Sequence, residues 1–291
     1  MDQRIEIVVN KASNKKRLDE FLFSHFGGLS KMYLRNAVKY ERCEVNGRLE
    51  NVGYRVKHND FIEIELDPMR QTAMLPQDIP LDVVFEDSDI IVVNKAAGML
   101  VHPDNCDKSG TLLNALSFYL NHNKNNGETI RPGLVHRLDM QTSGLIVVSK
   151  NQRAHKKLME WFRRKFMDKR YIALVDGVVT ADEGVIDAPI GRYGDLKHWD
   201  VKEDGKESET RFWVKKRNAD TTLLELEPVT GRTNQLRIHC SHIGHPIVGD
   251  VKRGGREFER LCLHASAIRF RHPSKGDDVS LTSPPPEVFL L

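Results

Sequence analysis

Apolar residues in the first part of the chain recur at helical spacing. In the stretch KKRLDEFLFSHFGG, Leu18, Phe21, Leu22 and Phe26 follow one another at intervals that place them on one side of a helix, and a Gly-Gly pair comes next. An amphipathic helix buries one such side, and glycine commonly ends a helix. The pattern therefore predicts a helix that ends at these glycines.

A second helix and a small β unit are predicted directly afterwards. In LSKMYLRNAVKYER, Ser30 is a suitable N-cap, and Leu34, Ala37 and Val38 form the apolar side. The segments CEVNGRLE and DFIEIEL then alternate apolar and polar residues, and the Asn46-Gly47 pair favours a tight hairpin turn. Residues 1–67 are interpreted as one small α+β domain.

Prolines separate this domain from the rest of the chain. Pro68, Pro76 and Pro80 lie in DPMRQTAMLPQDIP, and proline lacks a backbone donor and favours extended geometry. Residues 68–80 are therefore predicted to be a linker. The segment 81–291 has the pattern of a single β-rich α+β domain.

In that domain, LDVVFEDSDIIVVNK predicts two strands around a turn at 86–89, and GLIVVSK predicts a third. NQRAHKKLMEWFRRKF predicts a helix that begins near Asn151. The further predicted strands are KRYIALVDGVV, ETRFWVKKR, TTLLELEP, RTNQLRIHC and HASAIRFRHP.

Composition and charge narrow the class of protein. No apolar run approaches the roughly 20 residues that span a bilayer, and no secretory signal is visible, so a cytoplasmic protein without membrane contact is expected. The four cysteines form no CxxC pair, which is typical of free thiols in a reducing compartment. The net charge is only +3, but residues 150–170 hold nine basic and two acidic residues. Such a segment is either a solvated helix face or a surface for a polyanion.

Several common sites are not favoured by the sequence. It contains no GxGxxG, GxxxxGK[ST] or GxSxG motif, so no dinucleotide, triphosphate or hydrolase-elbow site is predicted. His239, Cys240, His242 and His245 crowd together, but neighbouring residues of a predicted strand point to opposite faces. Their spacing matches no zinc pattern, and no metal site is expected.

The stretch RPGLVHRLDMQTSGLIVVSK places Arg137 and Asp139 in a polar break between two apolar runs. An arginine beside an aspartate is usually a surface ion pair. A buried aspartate near guanidinium groups is different, because it is held ionised and oriented, as a nucleophile or base requires. The residues alone leave both readings open.

The motif HRLDMQTSG resembles the HRLDxxTSG signature of the RluA-type family of pseudouridine synthases. VNKAAGMLVHP, KRYIALVDG, GRTNQLRIHCSHIGHPIVGD and LHASAIRF follow the order of that family's other motifs, and a related family has GRLD where this chain has His136. The chain departs from the family's usual KPAG at Ala96 and from its GRTHQ at Asn234, which cannot titrate near neutrality.

The resemblance implies a catalytic domain built on a mainly antiparallel mixed β-sheet with flanking helices. It implies isomerisation of uridines in RNA to pseudouridine without cofactor or metal. Asp139 matches the catalytic carboxylate, acting as nucleophile or base, and Tyr171 matches the residue that stacks on the uracil. Arg237 is predicted to pair with Asp139, with Arg232 as the second choice. Arg137 is predicted to fill the space left by a flipped-out uridine.

Residues 1–67 are similar to the S-four-type RNA-binding domain, with RLDEFL, SKMYLRNAV and CEVNGRLENVGYRVKHNDFIEI as the matching segments. The expected partner is structured RNA, with large-subunit ribosomal RNA favoured and transfer RNA possible, and the chain is expected to be a monomer. Besides Arg137, the predicted contacts with RNA or uridine are His136, Thr142, Arg232, Gln235, Lys95, Lys31 and Arg35.

Two other functions are left open. One is an RNA-binding or RNA-chaperone protein on the same fold without activity. The other is a hydrolase that cleaves nucleosides, which would use a pair of carboxylates. Asp250, at the end of GRTNQLRIHCSHIGHPIVGD, is the acidic residue that could complete such a pair.

Overall fold

The computed structural model describes residues 2–69, 75–103, 109–122, 129–194 and 198–290. The chain divides into two compact units, one comprising Met1–Leu75 and Pro103–Ser109, the other Pro76–His102 and Gly110–Leu291. The boundary at residue 75 falls within the segment predicted as a linker. None of the described helices combines the length and the apolar character needed to cross a bilayer.

The first unit packs two helices on a four-stranded antiparallel sheet of order β1-β4-β2-β3. Its elements are β1 (Gln3–Val8), α1 (Leu18–His25), α2 (Lys31–Lys39), β2 (Cys43–Val45), β3 (Arg48–Leu49) and β4 (Phe61–Leu66). Ser30 caps α2 by accepting a hydrogen bond from the Tyr33 amide. Asn46 and Gly47 both have positive φ, as the predicted hairpin turn requires.

The second unit is built on a ten-stranded, mainly antiparallel sheet whose main path is β10-β13-β14-β9-β15-β8-β6-β5. Its strands begin with β5 (Val83–Glu86), β6 (Ile90–Lys95), β7 (Gly133–Leu134), β8 (Ser143–Ser149), β9 (Asp168–Asp176) and β10 (Glu183–Asp187). They continue with β11 (Ile190–Tyr193), β12 (His198–Val201), β13 (Glu209–Arg217), β14 (Thr221–Pro228), β15 (Leu263–Arg271) and β16 (Asp278–Thr282). The strands β11 and β12 form a separate hairpin.

Three helices flank this sheet: α3 (Leu112–Tyr119), α4 (Gln152–Arg163) and α5 (Gln235–His242). Side chains of β6 and β8 alternate between two cores. Ile91, Val93, Ile146 and Val148 join one core, which also holds Leu236 of α5. Ile90, Val92, Leu145 and Val147 join the other, which holds Leu158 of α4. The mixed α+β class predicted from the sequence is confirmed.

The prediction of a strand over RTNQLRIHC is wrong, because α5 occupies this stretch. Leu236, Ile238 and Cys240 are all buried, so the alternate positions suggested a strand. Gln235 and His239 are buried as well, and a helix enclosed on several sides loses the periodicity that would identify it. The argument that His239 and Cys240 lie on opposite faces of a strand therefore fails.

Candidate active site

The segment 135–142 joins β7 to β8 and forms the catalytic loop, which carries Arg137 and Asp139. The Thr142 amide donates to the Asp139 carbonyl at 3.1 Å, which closes a turn directly after the aspartate. The Gly98 amide donates to the Met140 carbonyl at 2.9 Å, which ties the loop to the end of β6. The backbone is thus fixed on both sides of Asp139.

Lys95 also contacts the catalytic loop. Its Nζ donates to the carbonyls of Ala96, Met99 and Met140 at 2.7, 2.9 and 3.1 Å, and only 2% of the residue is exposed. Burial lowers its pKa to about 8, and the nearby charge of Arg260 acts in the same direction. The structure therefore gives Lys95 a role in shaping the loop, whereas the sequence suggested contact with RNA.

The Thr-Ser-Gly of the motif permits a close approach of two strands. Gly144 has a φ of +114°, and a Cβ at this position would lie 2.4 Å from the carbonyl oxygen of Ala265 on β15. Beside it, Ser143 is buried, with its Oγ 2.8 Å from Nδ1 of His264 and 2.7 Å from Nη2 of Arg260. Thr142 is also buried, at 2% exposure. These residues anchor the loop inside the domain.

Arg237 on α5 lies between two carboxylates. Its Nε and Nη2 donate to Oδ2 and Oδ1 of Asp250 at 2.6 and 2.7 Å, a bidentate pair. Its Nη1 lies 3.7 Å from Oδ2 of Asp139, an ion pair longer than a hydrogen bond. The two side chains predicted to pair are therefore brought together, but Asp250 is the closer partner of Arg237.

Asp139 is shielded from water on several sides while 33% of its side chain remains exposed. Burial raises its pKa, and the repulsive charge of Asp250 adds to this. The charges of Arg237 and Arg137 oppose the rise. The sequence suggested that nearby guanidinium groups would dominate, but desolvation is the larger effect.

Tyr171 lies on β9, opposite Leu226 of β14 and Ala265 of β15. Burial raises the pKa of its hydroxyl, and the negative charge of Asp139 raises it further. The phenol therefore remains protonated in the physiological range. An aromatic ring and a carboxylate that interact electrostatically fit the predicted contacts with a base and its sugar.

His136 is only partly exposed, whereas the neighbouring Arg137 is exposed to solvent. Its Nε2 accepts a hydrogen bond from the Val147 amide at 3.0 Å, and its ring stacks on Phe162 with centroids 5.9 Å apart. Burial lowers its pKa to about 3, with a further contribution from Lys169. His136 is thus neutral, and its contacts with Val147 and Phe162 connect the loop to β8 and α4. The sequence predicted a contact with RNA for this residue.

Gln235 organises the loop before α5. Its side-chain amide donates to the Glu209 carbonyl and the Thr210 hydroxyl, and its oxygen accepts from the Thr230 hydroxyl and the Arg232 amide. With all four bonds satisfied and 3% exposure, it serves the loop rather than RNA. The Arg232 side chain donates to the Glu207 carbonyl at 3.0 Å, and among the described residues it forms no ion pair with Asp139.

Asn234, where the family commonly has histidine, has a φ of 54°. Asparagine adopts this left-handed conformation more readily than most residues. Its Oδ1 accepts a hydrogen bond from Nη1 of Arg237 at 3.4 Å, the same nitrogen that faces Asp139. The residue therefore contributes to the orientation of Arg237 without a titratable group.

The two RNA contacts predicted in the first unit both lie on α2. Lys31 is exposed, with its Nζ 5.5 Å from the ring centroid of Phe23. Arg35 forms an ion pair with Asp19 at 3.7 Å and keeps 42% of its side chain exposed. Both side chains are accessible to a ligand of that unit.

Asp250 is the residue that the sequence reasoning undervalued. It is 2% exposed and lies directly before a short 3-10 helix, Val251–Arg253, near the end of the segment GHPIVGD. The sequence places Asp250 in this motif and offers it only as a second carboxylate for a hydrolase. No pattern in the sequence shows that it anchors Arg237.

The histidines that lie close together in the sequence have separate hydrogen-bond partners in the structure. His239 contacts Thr210 and the Ala188 carbonyl, His245 the Asp176 carbonyl, and His264 Ser143. Among the residues the structure describes, the only group close enough to share an ion is Asp87, Asp89 and His272. Their side chains already bond to one another and to Ser274, Lys275 and Asn151.

An RNA pseudouridylate synthase family model matches residues 89–242, which contain the catalytic loop, Tyr171 and α5. The chain belongs to the pseudouridine synthases, specifically to the RluA type, and it is an RNA pseudouridine synthase.

An uncharacterised RNA pseudouridine synthase of Bacillus subtilis (strain 168) is 37% identical, over 98% of this chain and 95% of that protein. The ribosomal large subunit pseudouridine synthase D of Escherichia coli (strain K12) is 34% identical, over 99% and 93%. The solved structure of human RNA pseudouridylate synthase domain containing 1 is similar with a TM-score of 0.61 and 29% identity, over 72% of this chain and 85% of that one.

Proposed function

We propose that this enzyme converts specific uridines of large-subunit ribosomal RNA to pseudouridine, with Asp139 as nucleophile or base. The observation that carries the proposal is the position of the Asp139 carboxylate. It is partly exposed on a fixed loop and faces a guanidinium that a second carboxylate holds in place. Relatives described as ribosomal large subunit pseudouridine synthases support the choice of RNA.

The reaction breaks the bond between N1 of uracil and C1′ of the ribose and forms a bond from C5 to C1′. The C5 proton is lost and N1 gains a proton, so the overall change is an isomerisation. Asp139 acts on the sugar or base of a flipped-out uridine, and Tyr171 stacks on the uracil. Arg237 orients Asp139, and the exposed Arg137 occupies the space that the uridine leaves.

The geometry disfavours a hydrolase with two carboxylates. Asp250 could supply the second carboxyl group, but it is buried and forms two short hydrogen bonds with Arg237. A group so engaged cannot reach a leaving group or activate water. Asp139 therefore acts as a single carboxylate, as an isomerase requires.

The test is tritium release from RNA that carries 5-tritiated uridine, because the reaction expels the C5 hydrogen. Large-subunit ribosomal RNA and a transfer RNA pool, both transcribed in vitro, are compared. We expect release from the ribosomal transcript, and mapping of the product would give the modified position. Release from transfer RNA alone would replace the proposed substrate, and binding without release from either RNA would favour an inactive RNA-binding protein.

The remaining expectations belong to the same proposal. The first unit, similar to an S-four-type domain, would bind RNA through residues such as Lys31 and Arg35. The enzyme would act as a monomer in the cytoplasm. Three buried free thiols, Cys43, Cys240 and Cys262, are compatible with that compartment, while Cys106 lies outside the described residues.

A further inference from the structure

The turn that joins α4 to β9 is formed by Arg163, Arg164, Lys165 and Phe166, here called the basic turn. The Phe166 amide donates to the Trp161 carbonyl at 2.9 Å, and the Lys165 amide donates to the Phe162 carbonyl at 3.2 Å. These two bonds define a Schellman motif, with Lys165 in the left-handed conformation at a φ of 59°. The turn is therefore fixed by its own backbone.

Two side chains of this motif differ from the usual arrangement. The left-handed position normally holds glycine, because a Cβ there costs free energy, yet this chain has lysine. The following residue normally packs an apolar side chain against the helix, yet Phe166 is 61% exposed. A strained lysine and an exposed aromatic ring on a fixed turn suggest a contact with a ligand.

The helix that precedes the basic turn contacts the catalytic loop. Phe162, in the last turn of α4, stacks on His136 of the catalytic loop at 5.9 Å. The Nζ of Lys169 lies 4.6 Å from the centroid of the same ring. Phe166 precedes β9, which carries Tyr171 five residues further along. The basic turn is therefore connected to the catalytic loop through Phe162 and His136, while α4 itself packs on the face of the sheet opposite to α5.

The charge of the basic turn suits a polyanion. Across the described chain, no carboxylate lies within 4.0 Å of Arg163 or Lys165, while Arg164 pairs with Glu160 at 2.9 Å. The exposed side of α4 adds three further basic residues, Arg153, Lys156 and Lys157. Phosphates would find cations beside an exposed aromatic ring, a combination that proteins use to bind unpaired nucleotides.

We propose that the basic turn binds an unpaired segment of the substrate RNA outside the pocket that holds the target uridine. Phe166 stacks on an unpaired base, and Arg163 and Lys165 contact the flanking phosphates. This inference rests on the proposed function, because it places the bound nucleotide in the substrate. It adds a residue, Phe166, that favours substrates with an unpaired base outside the active site.

The principal test is Phe166→Ala in the full-length enzyme. The probe is large-subunit ribosomal RNA transcribed in vitro, with Kd measured by filter binding and turnover by tritium release. Loss of one stacked base should raise Kd and KM about tenfold. The effect should fall on these constants because the basic turn does not touch the reacting atoms. Phe166→Trp should restore binding, and Val185→Ala on β10, also at a position 61% exposed, is the matched control.

Lys165→Gly separates a binding role from a structural one. Glycine relieves the left-handed strain, so the Tm should rise. Loss of a phosphate contact should at the same time weaken RNA binding and reduce the slope of log Kd against log salt by about one. A higher Tm with unchanged affinity and unchanged slope would show that the lysine has no contact with RNA.

The outcomes distinguish this inference from the proposed function. If the wild-type enzyme binds RNA and releases tritium, but Phe166→Ala and Lys165→Gly bind as the wild type does, the inference is overturned and the proposed function stands. If the wild-type enzyme binds the ribosomal transcript without releasing tritium, the proposed function fails, and the Kd values still decide the inference. Absence of binding by the wild type would overturn both.

Discussion

The two carboxylates that face Arg237 come from different regions and have opposite environments. Asp250 is buried, and both of its oxygens accept short hydrogen bonds from the guanidinium. Asp139 is partly exposed and lies 3.7 Å from the remaining nitrogen. Asp250 fixes the position of Arg237, so that Arg237 can orient Asp139 without forming a short ion pair with it. The aspartate with incomplete hydrogen bonding is the one left free to react.

The largest effect is expected for a substitution of Asp139, the carboxylate assigned to the reaction. Asp139→Asn should lower kcat by about 10³-fold or more in the tritium-release assay, because the amide can act neither as nucleophile nor as base. RNA affinity should remain. The raised pKa means that the ionised carboxylate costs stability at neutral pH, so the Tm should not fall. Asp187→Asn, on the exposed side of β10, is the control.

Asp250→Asn, unlike Asp139→Asn, should lower the stability of the protein. It removes the bidentate partner of the largely buried guanidinium of Arg237 and leaves only the longer ion pair with Asp139, which should lower the free energy of unfolding by about 3 kcal/mol. Urea denaturation would measure this, and activity should fall as Arg237 loses its position. If Asp250→Asn were as stable as Asp139→Asn, the two carboxylates would not differ as the structure indicates.

The pH dependence of kcat/KM should show the raised pKa of Asp139. Protonation inactivates the carboxylate, so activity should fall as pH decreases, with a midpoint above about 3.9, the usual value for aspartate. Arg137 opposes the rise, so Arg137→Ala should move the midpoint to higher pH. Arg271→Ala, which also removes an exposed positive charge, should leave the midpoint in place. A shift towards lower pH in Arg137→Ala would contradict the assigned electrostatics.

The smallest effect is expected at Asn234. Asn234→His removes an oxygen that accepts a long hydrogen bond from Arg237, while Asp250 still holds the guanidinium. Activity should change by less than about threefold, since a weak neutral hydrogen bond contributes little. Titration curves of kcat/KM for both forms would also show whether an imidazole adds a second ionisation. A much larger loss of activity would show that Asp250 alone does not hold Arg237 in position and that Asn234 is also required.

Local patterns predicted much of the fold. The N-caps Ser30 and Asn151 and the Asn46-Gly47 turn are formed as expected, because each depends on a few neighbouring residues. The sequence of α5 predicts a strand, because a helix that is buried on several sides lacks the apolar periodicity of an amphipathic helix. Strands such as β11 and β12 were not identified, since their short segments have little periodicity and are stabilised by pairing with each other.

The sequence by itself determined the reaction class, because ordered motifs around HRLDMQTSG carry information that does not depend on coordinates. The same motifs also predict Asp139, Tyr171 and Arg237 as the catalytic residues. Only the tertiary structure decided what surrounds them. The burial that raises the pKa of Asp139 and its ion pair with Arg237 involve elements distant in sequence, and the pairing of Arg237 with Asp250 depends on how the segment after α5 folds back onto it. Solvation and long-range contacts depend on how the whole chain packs. For this reason only the structure shows that Lys95, His136 and Gln235 support the loops, whereas Arg137 faces the solvent.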